Sequence, residues 1–113
     1  MHELSLCGSI ADIARRNGAG RRVARIHLRI GQLRQVVPET LVHCWSMVRA
    51  DTELADAELV IDRVPARIRC HECDHVTEIG DFPILVCEEC DGVACSVESG
   101  EEFEVTAMDL VTA

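Results

Sequence analysis

Two Cys-x-x-Cys motifs constrain this chain more than any other feature. Cys70 and Cys73 form the first, and Cys87 and Cys90 form the second, thirteen residues further on. Two such motifs at this distance can bring four thiolates onto one tetrahedral ion, an arrangement typical of structural zinc. Iron also binds four cysteines in this spacing, so the pattern predicts a metal and favours zinc. The other interpretation, two disulfide bonds, requires an oxidising compartment.

Four protein ligands would leave no open coordination position on the ion. The spacing therefore predicts a metal that holds structure and does not catalyse. Between the motifs, residues 82–86 read Phe-Pro-Ile-Leu-Val. This apolar run predicts one strand of a small zinc ribbon.

The net charge of −9 is divided very unevenly along the 113 residues. Residues 1–69 contain all eleven basic residues, every one an arginine, and eight acidic residues, for a net +3. Residues 70–113 contain twelve acidic residues and no Lys or Arg, for a net −12. Because nucleic-acid binding depends on Lys and Arg displacing counterions from phosphates, this charge argues against a nucleic-acid-binding zinc ribbon.

The cysteine content and the lack of long apolar runs indicate the compartment. Seven cysteines in a chain with no basic segment leading into an apolar one fit reduced thiols and metal binding. We expect a cytoplasmic protein with no membrane segment and no secretory signal.

Two segments show the period of an amphipathic helix. Leu6, Ile10 and Ile13 recur at helical spacing within residues 4–17. Pro38 suits the first position of a second helix, and Glu39 then lies in its first turn, where the helix dipole favours an acid. The buried face of this second helix would consist of Leu41, Cys44, Trp45 and Val48.

Three other segments predict β-strands. Residues 24–30 alternate apolar and polar side chains, residues 58–69 run directly into the first cysteine motif, and residues 103–111 follow the second. We predict an α+β fold with two helices packed on a three-stranded sheet and an inserted zinc ribbon. Residues 1–69 with 96–113 would form the α/β domain, and residues 70–95 the ribbon insert, with the strands on either side of the motifs paired.

The N-terminus offers a second kind of metal chemistry. The amine of Met1, the amide nitrogen of His2 and its imidazole can close two fused chelate rings on one ion, a planar set that suits Ni²⁺ or Cu²⁺. The next amide nitrogen, water, or a carboxylate such as Glu3 or Glu39 could fill the fourth position. On the pattern alone, a surface histidine is the simpler interpretation.

Several segments together resemble the HypA/HybF family of nickel chaperones for hydrogenase maturation. They are Met1-His2-Glu3-Leu4-Ser5-Leu6, Ile30-Gly31-Gln32-Leu33, Pro38-Glu39, the two cysteine motifs and the closing Gly100-Glu101-Glu102-Phe103-Glu104-Val105. The resemblance covers essentially the whole chain. Some relatives have a proline inside the second motif, where this chain has two glutamates.

The resemblance implies that Met1, His2 and Glu3 hold Ni(II) as transient cargo, with Glu39 matching an acidic position near that site. It implies structural Zn(II) on the four motif cysteines, although His75 and Cys95 are close enough in sequence to be alternative ligands. The implied partners are the nickel-handling GTPase HypB and the precursor of the [NiFe]-hydrogenase large subunit.

We therefore predict a binding protein, a monomer or weak homodimer, and not an enzyme. No Gly-rich phosphate loop and no nucleophile placed beside a base is apparent in the sequence. Two alternatives remain, an iron-loaded rubredoxin-like electron carrier and a zinc-ribbon interaction module.

Overall fold

The computed structural model describes residues 2–111, and for residue 2 the backbone alone. Two helices and six strands follow one another in this part of the chain, and their bounds are given together here. They are α1 (His2–Gly18), β1 (Val23–Gly31), a single 3-10 turn (Gln32–Arg34), α2 (Pro38–Arg49), β2 (Glu58–Val64), β3 (Arg67–Cys70), β4 (Val76–Glu78), β5 (Cys95–Ser99) and β6 (Phe103–Leu110).

The six strands form two three-stranded sheets. One has the order β2-β1-β6 and the other the order β4-β3-β5. In the first, Val111 N–H donates to Arg22 O and Gly31 N–H donates to Glu102 O, so β1 and β6 run antiparallel. In the second, β3 pairs antiparallel with both neighbours. The predicted α+β class is confirmed. The predicted direct pairing of the strand before the cysteine motifs (58–69) with the strand after them (103–111) is wrong, because β1 lies between β2 and β6, and β3 pairs instead with β4 and β5.

The chain divides into two compact units. The first consists of Met1–Arg29, Val36–Asp62 and Glu104–Ala113, and the second of Ile30–Gln35 and Arg63–Phe103. The second unit thus contains all of residues 70–95 together with chain on both sides. The assignment of 70–95 as a ribbon domain of its own stays a prediction.

The core of the first unit is aliphatic around the single tryptophan. Ile10 of α1, Ile26 and Leu28 of β1, and Leu41 and Trp45 of α2 are buried almost completely. The Trp45 indole N–H donates to the carbonyl of Ala57 at 2.8 Å, so its one polar atom has a partner in the core. The apolar periodicity of both predicted helices therefore marked the faces that are buried.

The second unit has a much smaller core. Ala66, Ile68 and Ile79 form one small buried hydrophobic cluster, with Leu33, Cys95 and Val97 packed against it in part, and Ile30 and Val64 are the other buried aliphatic residues of the unit. The backbone of Gly31 packs closely against Gly100, and a Cβ at position 31 would overlap the Gly100 carbonyl oxygen. A unit of this size with so few buried apolar groups is of the kind that metals usually stabilise.

Two strand predictions were wrong. Residues 82–86 form no strand; Phe82 and Ile84 are 78% and 65% exposed. Pro83 has no N–H to give to a sheet, and Ile84 N–H donates locally to Phe82 O. The predicted strand 58–69 is two strands, β2 and β3, which belong to different sheets, because Pro65 interrupts the hydrogen-bonding ladder between them.

Among residues 2–111, none of the helices is both long enough and apolar enough to cross a lipid bilayer.

Candidate metal centre

The two cysteine motifs fold into nearly identical loops. In the first, Asp74 N–H donates to Cys70 O at 3.0 Å and Glu72 N–H donates to Cys70 Sγ at 3.4 Å. In the second, Asp91 N–H donates to Cys87 O and Glu89 N–H to Cys87 Sγ at the same distances. The first cysteine of each loop is thereby held with its sulfur turned toward the backbone N–H groups of its own turn.

Each loop ends in a residue with left-handed backbone. Asp74 has φ 63° and Asp91 has φ 61°. Aspartate tolerates this conformation better than most residues because its short side chain can hydrogen-bond locally. The repeated Cys-x-Glu-Cys-Asp sequence is the signal of this shared geometry, and reading only the cysteines missed it.

The two loops bring the four sulfurs together. The Sγ atoms of Cys70 and Cys90 are 3.6 Å apart, as are those of Cys73 and Cys87. All four sulfurs lie within 4.8 Å of one another. A tetrahedral ion with metal–sulfur bonds of about 2.3 Å has sulfurs about 3.8 Å apart. The spacing therefore suits one four-coordinate ion, whereas a disulfide bond would require about 2.05 Å.

The ionisation of the four thiols also favours a bound cation. N–H groups of Cys73 and Glu72 lower the pKa of the Cys70 thiol to about 7, and that of Cys90 lowers the pKa of Cys87. The Gly92 N–H acts in the same direction on Cys90, but the neighbouring cysteine sulfurs outweigh it and raise the pKa of Cys90 to about 12. The neighbouring thiols favour ionisation of Cys70 and Cys87 and oppose ionisation of Cys90, so a divalent cation is needed to hold all four as thiolates.

The surrounding side chains link the two loops. Glu88 N–H donates to the hydroxyl of Thr77, a buried residue of β4, at 3.1 Å. The His75 ring contacts a Glu88 carboxylate oxygen at 2.9 Å, and this hydrogen bond raises the pKa of His75. In this arrangement His75 is engaged by Glu88 and does not belong to the group of four sulfurs.

The predicted nickel ligands fall only partly within the described residues. Met1 and the His2 side chain lie outside them. Glu3 is half-buried in the first turn of α1, and Glu39 is exposed in the first turn of α2.

The relative direction of the two helices brings these first turns to the same end. Near the helix starts, the Cys7 thiol donates to Leu41 O at 3.6 Å. At the other end, Arg15 in the last turn of α1 donates through Nε to Glu53, which follows the end of α2, at 2.7 Å. The helices therefore run in the same direction, and two carboxylates lie at their N-terminal end.

Cys7 is buried near this end but is unsuited to be a thiolate ligand. Burial, followed by the nearby Cys44 and Glu3, raises its pKa to about 11. A thiol with this pKa that donates to a helix carbonyl stays protonated, so it behaves as a small core residue.

Comparison with known proteins gives a consistent result. A family model described as "Hydrogenase/urease nickel incorporation, metallochaperone, hypA" matches residues 1–110. The hydrogenase maturation factor HypA of Geotalea uraniireducens (strain Rf4) is 36% identical over 110 residues, which cover 97% of this chain and 99% of that protein. The HypA of Roseiflexus sp. (strain RS-1) is 37% identical over 113 residues, covering 96% of this chain and 91% of that protein.

Solved structures show the same fold. The Ni metallochaperone HypA from Helicobacter pylori superposes with a TM-score of 0.67 at 19% identity, covering 98% of both chains. A second HypA structure gives a TM-score of 0.60 at 21% identity, covering 98% of this chain and 93% of the other. Since the family model spans nearly all of the sequence, and relatives match almost from end to end at more than a third identity, this chain belongs to the HypA family of hydrogenase and urease nickel-incorporation metallochaperones.

Proposed function

We propose that this protein binds Ni(II) at its N-terminus and delivers it for maturation of [NiFe]-hydrogenase, while Zn(II) on four cysteines holds the second unit together. The observation that carries the proposal is the family match over residues 1–110, together with the four-sulfur cluster. In this proposal the protein is a carrier and not an enzyme, and nickel is its cargo.

Zinc is the ion that the four-cysteine cluster would hold. Cys70, Cys73, Cys87 and Cys90 would supply all four ligands, which leaves no position for a substrate or water. Bound there, zinc would supply structure only. The small core of the second unit supports this role, since so few apolar groups are buried in it.

Nickel would bind at the other end of the chain. The ligands would be the Met1 amine, the His2 amide nitrogen and the His2 imidazole, with Glu3 or Glu39 near the fourth position. Helix α1 is described from His2 onward, and the first four N–H groups of an α-helix have no acceptor within the helix. Deprotonation of the His2 amide would therefore break no helix hydrogen bond.

The carboxylates at the same end would offset an unfavourable field. The N-terminal ends of two parallel helices both carry partial positive charge, which repels a cation. Glu3 and Glu39 in the first turns supply negative charge there. We infer that they tune nickel affinity, and that loss of Glu39 has a smaller effect than loss of His2, because water can take the place of a carboxylate.

Delivery requires partners, and we propose a HypB-like nickel GTPase and the precursor of the hydrogenase large subunit. The names of the relatives, hydrogenase maturation factors, support a place in this process. A nickel site built on adjacent backbone atoms and one side chain can be dismantled one ligand at a time by a receiving protein, whereas four thiolates around zinc form a closed site.

The test is nickel and zinc titration of untagged protein in which Met1 carries the free amine. We expect a nickel site that His2→Ala abolishes while zinc content is unchanged. One residue added before Met1 should have nearly the same effect, because it moves the amine away from His2. His43→Ala, which alters an exposed histidine of α2, is the matched control and should bind nickel normally.

Equal nickel binding by the native and the extended protein would refute the chelate. Metal analysis of the same sample decides between zinc and iron at the cysteines, since a coloured, iron-containing protein would favour the electron-carrier alternative. In cells, His2→Ala should fail to restore hydrogenase activity to a deletion strain at limiting nickel.

A further inference from the structure

A fifth cysteine lies directly beside the four-sulfur cluster. Cys95, the first residue of β5, is the cross-strand partner of Cys70, the last residue of β3. It is half-buried and carries a free thiol. The four sulfurs that lie within 4.8 Å of one another do not include it.

The strand register puts the two side chains on one face at close range. His71 N–H donates to Ala94 O at 2.8 Å, so His71 and Ala94 form a hydrogen-bonded pair of the antiparallel ladder. Because the two kinds of pair alternate, Cys70 and Cys95 form a non-hydrogen-bonded pair, in which the Cα atoms approach to about 4.5 Å. Their Cβ atoms are then about 5 Å apart on the same face.

The Cys95 thiol also reaches the second cysteine loop. It donates to the carbonyl of Gly92, two residues beyond Cys90, at 3.6 Å. Cys95 is thus a thiol in contact with both halves of the centre.

We propose that Cys95 is a reserve metal ligand that can replace Cys70 on the ion. The inference rests on the proposed structural zinc. In the exchange, Cys95 loses its proton to become the new thiolate and Cys70 gains one on release, so the ion keeps four thiolates and the charge of the centre is unchanged. Since the two residues are already paired across β3 and β5, rotation of the side chains and a small shift of the ion suffice, and the sheet keeps its register.

The exchange distinguishes Cys70 from Cys73 and Cys90. Cys73 and Cys90 lie in the exposed turns of their loops, outside β3, β4 and β5, so neither has a cysteine opposite it in this sheet. The alternative role for Cys95 is packing alone, since it also contacts the hydrophobic cluster of the second unit. The two roles differ in what happens when Cys70 is removed.

The test compares zinc content in four variants: Cys70→Ser, Cys73→Ser, Cys95→Ser and the double variant Cys70→Ser/Cys95→Ser. Each is refolded with excess zinc and desalted. We expect Cys70→Ser to bind one zinc per chain, as the protein without substitutions should. Cys73→Ser and the double variant should lose the zinc. Cys95→Ser, in which the four original ligands remain, should keep it.

Alkylation of the zinc-loaded proteins with iodoacetamide, read by mass spectrometry, gives the second measurement. Iodoacetamide should alkylate Cys95 in the protein without substitutions, whereas Cys95 should be protected in Cys70→Ser. The proposal is overturned if Cys70→Ser loses zinc or fails to refold as the double variant does, if its Cys95 is still alkylated, or if Cys95→Ser alone loses zinc. Absence of zinc from the unmodified protein would instead overturn the structural-zinc proposal.

Discussion

Loss of one zinc ligand should unfold the second unit and spare the first. The change is Cys73→Ala, which removes a sulfur without touching the buried cluster of Ala66, Ile68 and Ile79. On the proposed zinc assignment, a ligand set reduced to three thiolates should no longer retain the ion, and the unit should lose the folding free energy that metal binding supplies.

The burial in each unit sets the expected size of the effect. Ile30, Val64, Ile68 and Ile79 are the large buried apolar side chains of the second unit, and at about 1.5–3 kcal/mol each they contribute about 6–12 kcal/mol. Structural zinc contributes about 10–16 kcal/mol in zinc-finger peptides near neutral pH. The metal term is the larger one, so the second unit should not stay folded without it.

The first unit has a larger hydrophobic term and no such dependence. Its five large, almost fully buried side chains contribute roughly 8–15 kcal/mol by the same measure. They are Ile10, Ile26, Leu28, Leu41 and Trp45. Trp45 is the only tryptophan of the chain, so its fluorescence reports on this unit alone.

The assay is hydrogen–deuterium exchange resolved by peptide, combined with Trp45 emission. In Cys73→Ala, peptides from residues 67–99 should lose protection, while those from α1 and β1 keep it and the emission stays that of a buried indole. Cys44→Ala, a cysteine of α2 outside the cluster, is the matched control and should retain zinc and full protection. Native protection of β3 and β5 in zinc-free protein, or a red shift of Trp45, would show that this reasoning is wrong.

Three further outcomes follow from the described contacts. Zinc affinity should fall as pH falls from about 8 to 5, because protons compete with the metal for sulfurs whose pKa values run from about 7 at Cys70 to about 12 at Cys90. A chelator competition that is flat in pH would contradict this. Gly31→Ala should destabilise the zinc-loaded protein by about 2 kcal/mol or more, because its Cβ overlaps a backbone carbonyl. Gly8→Ala, in the middle of α1, should stabilise the protein by about 0.5–1 kcal/mol, because the added Cβ has no neighbour within 4 Å. Thermal melts in which Gly31→Ala were the more stable of the two variants would refute the packing argument. Gln32→Ala should lower the free energy of unfolding in urea by about 1–3 kcal/mol, because the side chain accepts from the Ala66 N–H at 2.9 Å and donates to the carbonyls of Ile79 and Gly80. An unchanged unfolding midpoint would mean that water replaces these hydrogen bonds.

The sequence was sufficient for the elements whose signal is local. The periods of α1, α2 and β1 follow from which residues must leave water, so their apolar positions predicted both the elements and their buried faces. The four cysteines that the structure brings together were equally accessible, because Cys-x-x-Cys is a property of a single turn and two such turns can share one ion between them.

The two strand assignments that failed each have a proline within the segment. Residues 82–86 are apolar enough for a strand, but Pro83 cannot join a ladder, and the segment stays exposed. Pro65 likewise divides the predicted strand 58–69 between two sheets. Hydrophobicity alone could not reveal this, since strand formation requires a neighbour with free backbone groups as well as apolar side chains.

Other features depend on residues far apart in the sequence and required the tertiary structure. Cys70 and Cys95 are 25 residues apart, and only the register of β3 with β5 makes them neighbours. Gln32 is bound to residues 34 to 48 positions away, and the shared direction of α1 and α2 brings Glu3 and Glu39 to one end. Hydrophobic period and ligand spacing act within a few residues and can be read from the chain, whereas register and helix direction are decided by the packing of the whole fold.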